Sequence, residues 1–283
     1  MSWPDRSGWA LDAEQHRFYV QGVGHIKVRL HRQLSGVPKT ATLRREGRRW
    51  VCVIFCADVP AVPLAPTGRS VGIDVGIANL VATSDGNMVA NPRPARASAD
   101  RVAGAQRAVA RKRRGSNRRR KAVAHLADLR RHEANVRRDV AHQVSRALVN
   151  DHDVIVHEDL AITNMVRSAR GTVAEPGTSV AAKAGLNRSI HDAGWAMLLR
   201  YVTFKAASAG RDVIAVRAAY TSHTCSTCGH VARENRPSQA VFRCQACRYT
   251  THADTNAATN IHRHRAGLAQ RRHPGREANQ QPA

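Results

Sequence analysis

Two cysteine pairs of one spacing, Cys225-Ser226-Thr227-Cys228 and Cys244-Gln245-Ala246-Cys247, stand 15 residues apart and constrain this chain more than any other feature. That is the spacing of a four-thiolate zinc ribbon, in which each turn aims two sulfurs at one tetrahedral ion. Gly229 allows the tight turn, and nearby backbone amides soften the thiolate charge. A metal closed on Cys225, Cys228, Cys244 and Cys247 has no open coordination position, so the zinc is assigned to folding rather than to chemistry. The competing assignment is a redox or disulfide pair. His223, His230 and His252 flank the knuckles and, with four thiols available, are read as surface or supporting residues. The other two cysteines, Cys52 and Cys56, share one face of the apolar run Val51–Ala57 and are read as small core residues.

Charge points to the partner. The 283 residues carry 45 Lys+Arg against 21 Asp+Glu, a formal net charge of +24. A polyanion is the expected partner, because each Lys or Arg meeting a phosphate releases condensed counterions. Codon bias accounts for part of an arginine excess but not for its clustering. Residues 101–150 hold 15 basic side chains against Asp128, Glu133 and Asp139, and residues 111–121 hold eight basic side chains in eleven positions. The start has no apolar targeting core and no run is long enough to cross a bilayer. The expected location is cytoplasmic, in association with the nucleoid, with no membrane partner.

Hydropathy patterning divides the chain. Residues 1–66 read as strands and turns, with Ile26, Val28 and Leu30 alternating, and with a hairpin of Thr40–Leu43 and Trp50–Phe55 around Glu46-Gly47, as in a piece of a small β-barrel. Pro60, Pro63 and Pro66 mark a boundary. Residues 67–266 read as α/β. Val71–Val75 is a buried strand, Leu80–Ser84 its hairpin partner across Asp85-Gly86-Asn87, 97–150 a basic helical pair, and Val154–Glu158 a strand ending in a carboxylate. A Gly/Ser/Thr/Ala-rich stretch from about 167 to 185 is expected to be a mobile loop. Ser189–Ala209 is expected to be one helix using Trp195, Leu198, Leu199, Val202 and Phe204 and stopped by Gly210. Val213–Val216 is a further strand, 221–250 the ribbon, and 267–283 a disordered tail.

Three acids stand out by position: Asp74 inside an apolar strand, Glu158 at the end of another, and Asp254 at the start of Ala253–Ala258. An uncompensated carboxylate among Val and Ile is costly to bury. Converging carboxylates that hold divalent cations supply the compensation, and magnesium suits such oxygen donors. Singly, each acid is more often a turn former or helix cap. Their order, strand acid, second strand acid, helix-start acid, fits an RNase H-like nuclease core.

Four segments carry a more specific resemblance: Gly72-Ile73-Asp74-Val75-Gly76, His157-Glu158-Asp159-Leu160, Thr221–Gly229 with its first CxxC, and Asp254-Thr255-Asn256-Ala257-Ala258-Thr259-Asn260-Ile261. Over residues 20–266 the chain resembles the RuvC-like catalytic part of TnpB, the transposon-encoded RNA-guided DNA endonuclease family ancestral to type V CRISPR effectors. The resemblance implies an RNase H-like (RuvC-like) fold with a helical insertion and an inserted zinc ribbon. It implies that Asp74, Glu158 and Asp254 are a catalytic, magnesium-binding triad that hydrolyses DNA phosphodiesters.

It implies further that a guide RNA pairs with target DNA, so that sequence selectivity lies in base pairing. Arg111, Lys112, Arg113, Arg114, Arg118, Arg119, Arg120 and Lys121 would then grip phosphates, and the 167–185 loop would be a lid. The family has a longer N-terminal part, a recognition segment inserted in a wedge barrel. Here only a partial wedge-like segment, 1–66, precedes the nuclease core, which leaves a non-cutting, nucleic-acid-binding protein as the alternative. An unguided junction resolvase ranks behind both. Oligomeric state is not legible in the sequence.

Overall fold

The computed structural model describes residues 1–47, 49–217 and 219–271, with side chains described through 264. The described residues form two compact units, one within 1–62 and 100–131, the other within 63–99 and 132–271.

The first unit contains β1 (Ser2–Trp3), β2 (Trp9–Asp12), β3 (Arg17–Val20), β4 (Gly24–Lys27), β5 (Val37–Glu46) and β6 (Arg49–Ala57). They pair as two three-stranded sheets, β1-β5-β6 and β2-β3-β4. The predicted hairpin around Glu46-Gly47 is there, with Arg45 opposite Trp50 and Thr40 opposite Phe55. Side-chain alternation sends Trp9, Phe18, Val20, Ala41 and Leu43 into one core, joined by Cys52 and Ile54. Burial pushes the Cys52 thiol up from its ordinary value. Cys56 is partly buried.

The second unit is built on a five-stranded mixed sheet formed by β7 (Ser70–Val75), β8 (Asn79–Thr83), β9 (Met88–Ala90), β10 (Val154–Glu158) and β11 (Asp212–Val216), in the order β11-β10-β7-β8-β9. The pairs β7–β10 and β10–β11 are parallel, while β7–β8 and β8–β9 are antiparallel. The helices of the chain are α1 (Pro94–Ala97), α2 (Ala99–Ala110), α3 (Asn117–Asp151), α4 (Ile162–Met165), α5 (Val180–Ala193), α6 (Trp195–Ala209) and α7 (Ala253–Arg271), of which residues 100–131 of α2 and α3 belong to the first unit. Strands β12 (Val241–Arg243) and β13 (Thr250–His252) pair inside the cysteine-rich segment. Among the described residues no helix is long and apolar enough to cross a membrane.

Both faces of this sheet are covered. Val71, Ile73 and Ile155 pack with Val144 and Leu148 of α3 and with Leu198 and Val202 of α6, while Val156 and Val216 meet Ile261 of α7. Each such side chain taken from water contributes about 1.5–3 kcal/mol. Gly72 makes the close approach of α7 possible: a Cβ there would lie 2.2 Å from the Ala258 carbonyl oxygen and 2.7 Å from the His262 nitrogen.

Four expectations differ from this architecture. The stretch 167–185 is not all loop, since α5 already begins at Val180, and Gly171 and Pro176 form a β-bridge before it. The helix expected over Ser189–Ala209 is two helices broken at Gly194, whose φ of 70° is open to glycine without a Cβ penalty. Phe204, expected to pack, is 60% exposed. The expected tail at 267–283 is helical as far as Arg271, the end of α7, and 272–283 lie outside the described residues.

Candidate active site and metal centre

Period two along the strands places the acids. With Val71 and Ile73 buried in the core on one face of β7, Gly72 and Asp74 face α7. The same alternation on β10 turns Val156 and Glu158 to that side, Val156 against Ile261. Parallel pairing matches Gly72 with Val156 and Ile73 with His157, so Asp74 and Glu158 come next on neighbouring strands, at their carboxyl ends. Asp254 sits in the first turn of α7, which lies over those strands, and is 8% exposed.

Asp74 senses the other two carboxylates. Burial, then the charges of Asp254 and Glu158, push the Asp74 carboxyl up to about 7, and only Arg236 pulls the other way. Burial also raises Glu158. Asp254 accepts hydrogen bonds from the Arg236 guanidinium at 3.1 Å and from the Asn79 side-chain amide at 3.4 Å, and its own backbone amide donates to His252 Nδ1 at 3.2 Å. It is therefore held from outside α7 rather than serving as that helix's cap. Trp195 Nε1 donates to the Gly76 carbonyl at 3.1 Å, tying α6 to the turn after Asp74.

Hard oxygen donors with too little positive charge around them are a set that magnesium fits. They are not drawn together as tightly as the thiols: among the described residues, the one group of three or more Cys, His, Asp or Glu ligand atoms within 4.8 Å of one another is Cys225, Cys228, Cys244 and Cys247. Cys225 and Cys247 sulfurs are 3.7 Å apart, and Cys228 and Cys244 sulfurs 3.6 Å. A tetrahedral ion with Zn–S bonds of about 2.3 Å sets sulfurs about 3.8 Å apart, so the four fit zinc. Burial works against ionising Cys244, but amides from Cys247 and Ala246 hold it below the ordinary thiol value, readying it as a ligand. The flanking histidines stay outside this group.

The eight basic residues expected to bind phosphate occupy the α2–α3 turn and the start of α3 in the first unit. Arg111, Arg113, Arg114, Arg118, Arg120 and Lys121 are exposed. Lys112 and Arg119 fold back on the turn, donating to the Ala108 and Val109 carbonyls at 3.3 and 2.8 Å.

Sequence reasoning missed Arg236 and Asn79. Nothing marks Arg236 in a chain so rich in arginine; it becomes visible only when the ribbon's fold carries it to Asp254. Asn79 opens β8, paired to the strand that carries Asp74, a placement that antiparallel register alone reveals.

Comparison with known proteins bears on the family. A family profile described as "Probable transposase" (OrfB_IS605) matches residues 54–169, and one described as "Cas12f1-like, TNB domain" matches 195–261. These matches, with the relatives below, support the TnpB family for this chain. It is 41% identical over 254 residues to InsQ of Escherichia coli (strain K12), a protein whose name describes an RNA-guided DNA endonuclease, covering 90% of this chain and 63% of that one. It is 33% identical over 226 residues to a Streptomyces pristinaespiralis protein whose name describes the same activity, covering 79% of this chain and 52% of the relative. The chain thus spans between about half and two thirds of the length of these curated relatives. A cryo-EM structure of a Cas12f1–sgRNA–target DNA complex aligns with 78% of this chain and 55% of that one, at a TM-score of 0.47 and 17% identity.

Proposed function

We propose that this chain is an RNA-guided, divalent-metal-dependent DNA endonuclease of a transposable element, with Asp74, Glu158 and Asp254 as its catalytic and magnesium-binding residues. The observation that carries the reading is the convergence of three acids from β7, β10 and α7 at one end of the sheet, close enough for two of them to raise the proton affinity of the third. The strand order and directions support an RNase H-like core. The two small sheets of the first unit fit the wedge-like segment.

In this reading the chain's own residues do the following. Asp74, Glu158 and Asp254 present carboxylate oxygens to divalent cations, which when bound supply an activated water and charge stabilisation for the departing oxygen. Arg236, now paired with Asp254, supplies positive charge beside the scissile phosphate. Asn79 holds one oxygen of Asp254. The exposed arginines of the α2–α3 turn hold backbone phosphates of the guide RNA and target DNA without reading bases. The four thiolates hold zinc as a structural ion, because a closed tetrahedron leaves no position for substrate.

The test is cleavage by the purified chain with its copurified RNA on DNA matched to that RNA, with magnesium and after chelation. Cleavage that needs the divalent ion and disappears in Asp74→Ala supports the assignment; cleavage untouched by that substitution overturns it. A second reading, DNA binding without scission, draws on the Arg236–Asp254 ion pair, which already neutralises one acid. Salt-sensitive binding with no strand break under any divalent ion would favour it.

A further inference from the structure

Helix α7 begins at the acids and runs on to meet the cysteine-rich segment. Two of its side chains one turn apart, Asn256 and Asn260, are 1% and 6% exposed. Asn256 Oδ1 accepts from the Ser226 amide at 2.9 Å, and its Nδ2 donates to the Thr224 carbonyl at 2.7 Å. Asn260 Nδ2 donates to that same carbonyl at 2.7 Å and to the Thr221 carbonyl at 2.9 Å. The two asparagines thus bracket the backbone on either side of Cys225.

A third asparagine joins the two knuckles. Asn235, fully buried, donates to the His223 and His230 carbonyls at 2.9 and 3.1 Å and accepts from the Gln245 amide at 2.8 Å, next to Cys244. The residue after it is Arg236, which reaches Asp254. A buried amide engaged at both ends is costly to shift, since every displacement strands a donor or an acceptor out of reach of water. The three side chains form a contiguous path from backbone beside the sulfur ligands to the two groups that flank the candidate active site.

We infer that Asn235, Asn256 and Asn260 are positioning residues that make the placement of Asp254 and Arg236 depend on the metal held by the four cysteines. Without an ion to bridge them nothing draws the four sulfurs to one point, the knuckle backbone relaxes, and the asparagines lose the carbonyls and amides that hold them. The inference rests on the nuclease reading only for what the acids bind; the mechanical coupling stands apart from it.

The experiment compares the full chain with Asn256→Ala and with the milder Asn260→Ala, which leaves Thr224 its bond from Asn256. Zinc content, Mn2+ binding by electron paramagnetic resonance with Asp254→Asn as control, and hydrogen exchange over Ala253–Ile261 are measured on each. Both variants are expected to keep zinc, to bind Mn2+ about tenfold more weakly, and to exchange faster in α7. Stripping zinc from the parent chain should speed the same amides, while stripping it from Asn256→Ala should add little, because the link is already cut. Unchanged α7 exchange in the zinc-loaded variants, or on zinc removal from the parent, overturns the inference. A parent chain that binds no Mn2+ counts against the nuclease reading, and the exchange comparison still decides the coupling.

Discussion

The guanidinium of Arg236 and the carboxylate of Asp254 meet at 3.1 Å across a sequence separation of 18 residues. The pair joins the cysteine-rich segment to the helix that carries the third acid, and it places a permanent cation among carboxylates that otherwise repel. Replacing Arg236 by Ala is expected to lower cleavage about 10²–10³-fold, as removal of a preorganised charge does elsewhere. Since Arg236 holds the Asp74 carboxyl down, its loss should also move the acidic limb of the pH–rate profile to higher pH. A profile that drops in height without moving would assign Arg236 to substrate alone.

The charge on Asp74 should make stability depend on pH when no divalent cation is present. Its carboxyl is raised from 3.8 to about 7 in the fold, by burial first and by Asp254 and Glu158 second. The folded chain therefore binds more protons than the unfolded chain between those values, and stability falls as pH rises from about 4 through about 7. Asp74→Asn removes the titration, so it should melt higher than the parent at pH 8 and show a flatter profile across that window. Calorimetry in chelator checks both, and added magnesium should shrink the difference.

Gly72 sets how closely α7 lies on β7. A methyl group there collides with backbone at 2.2 and 2.7 Å, which no side-chain rotation relieves. Gly72→Ala is expected to destabilise by about 1–3 kcal/mol through overpacking. If the helix shifts to accommodate it, Asp254 moves away from Asp74, and activity should fall further than the loss of folded protein explains. Chemical denaturation alongside cleavage per folded molecule separates the two.

The α2–α3 turn should contribute binding without chemistry. Neutralising Arg113, Arg114, Arg118 and Arg120 together is expected to reduce the salt slope of DNA or RNA binding by up to about 3–4, at roughly 0.9 per phosphate contact. Cleavage of already bound substrate should hardly change. An unaltered slope would assign this turn to a solvated surface.

What the sequence disclosed and what it hid follow from the kind of signal each residue carries. The two strand acids were legible because a charge in a run such as Val71–Val75 breaks a pattern, and the thiols because their spacing is a local property. Arg236 was hidden because it acts through a turn formed by the ribbon's fold, not through its neighbours in sequence. The asparagines of Asp254–Ile261 were visible as part of a motif, but their hydrogen bonds run to carbonyls and amides, which carry no sequence signature. Gly194 read as one more residue inside a helical pattern, because its positive φ depends on how α5 and α6 each seat against the sheet. Phe204 was expected inward from the helical spacing of the apolar residues, while Leu198 and Val202 take the buried stripe of α6.

Parallel pairing of β7 with β10, both ending at one rim, has a consequence for how such a chain can change over time. The spacing of Asp74 and Glu158 is set by hydrogen bonding between two adjacent strands and owes nothing to the length of polypeptide that links them. Whole elements can be lengthened, trimmed or exchanged in the intervening chain while the acids keep their distance. The constraint on the acids falls on a handful of strand ends and one helix start, and the chain strung between them can vary wherever it does not pack on the sheet.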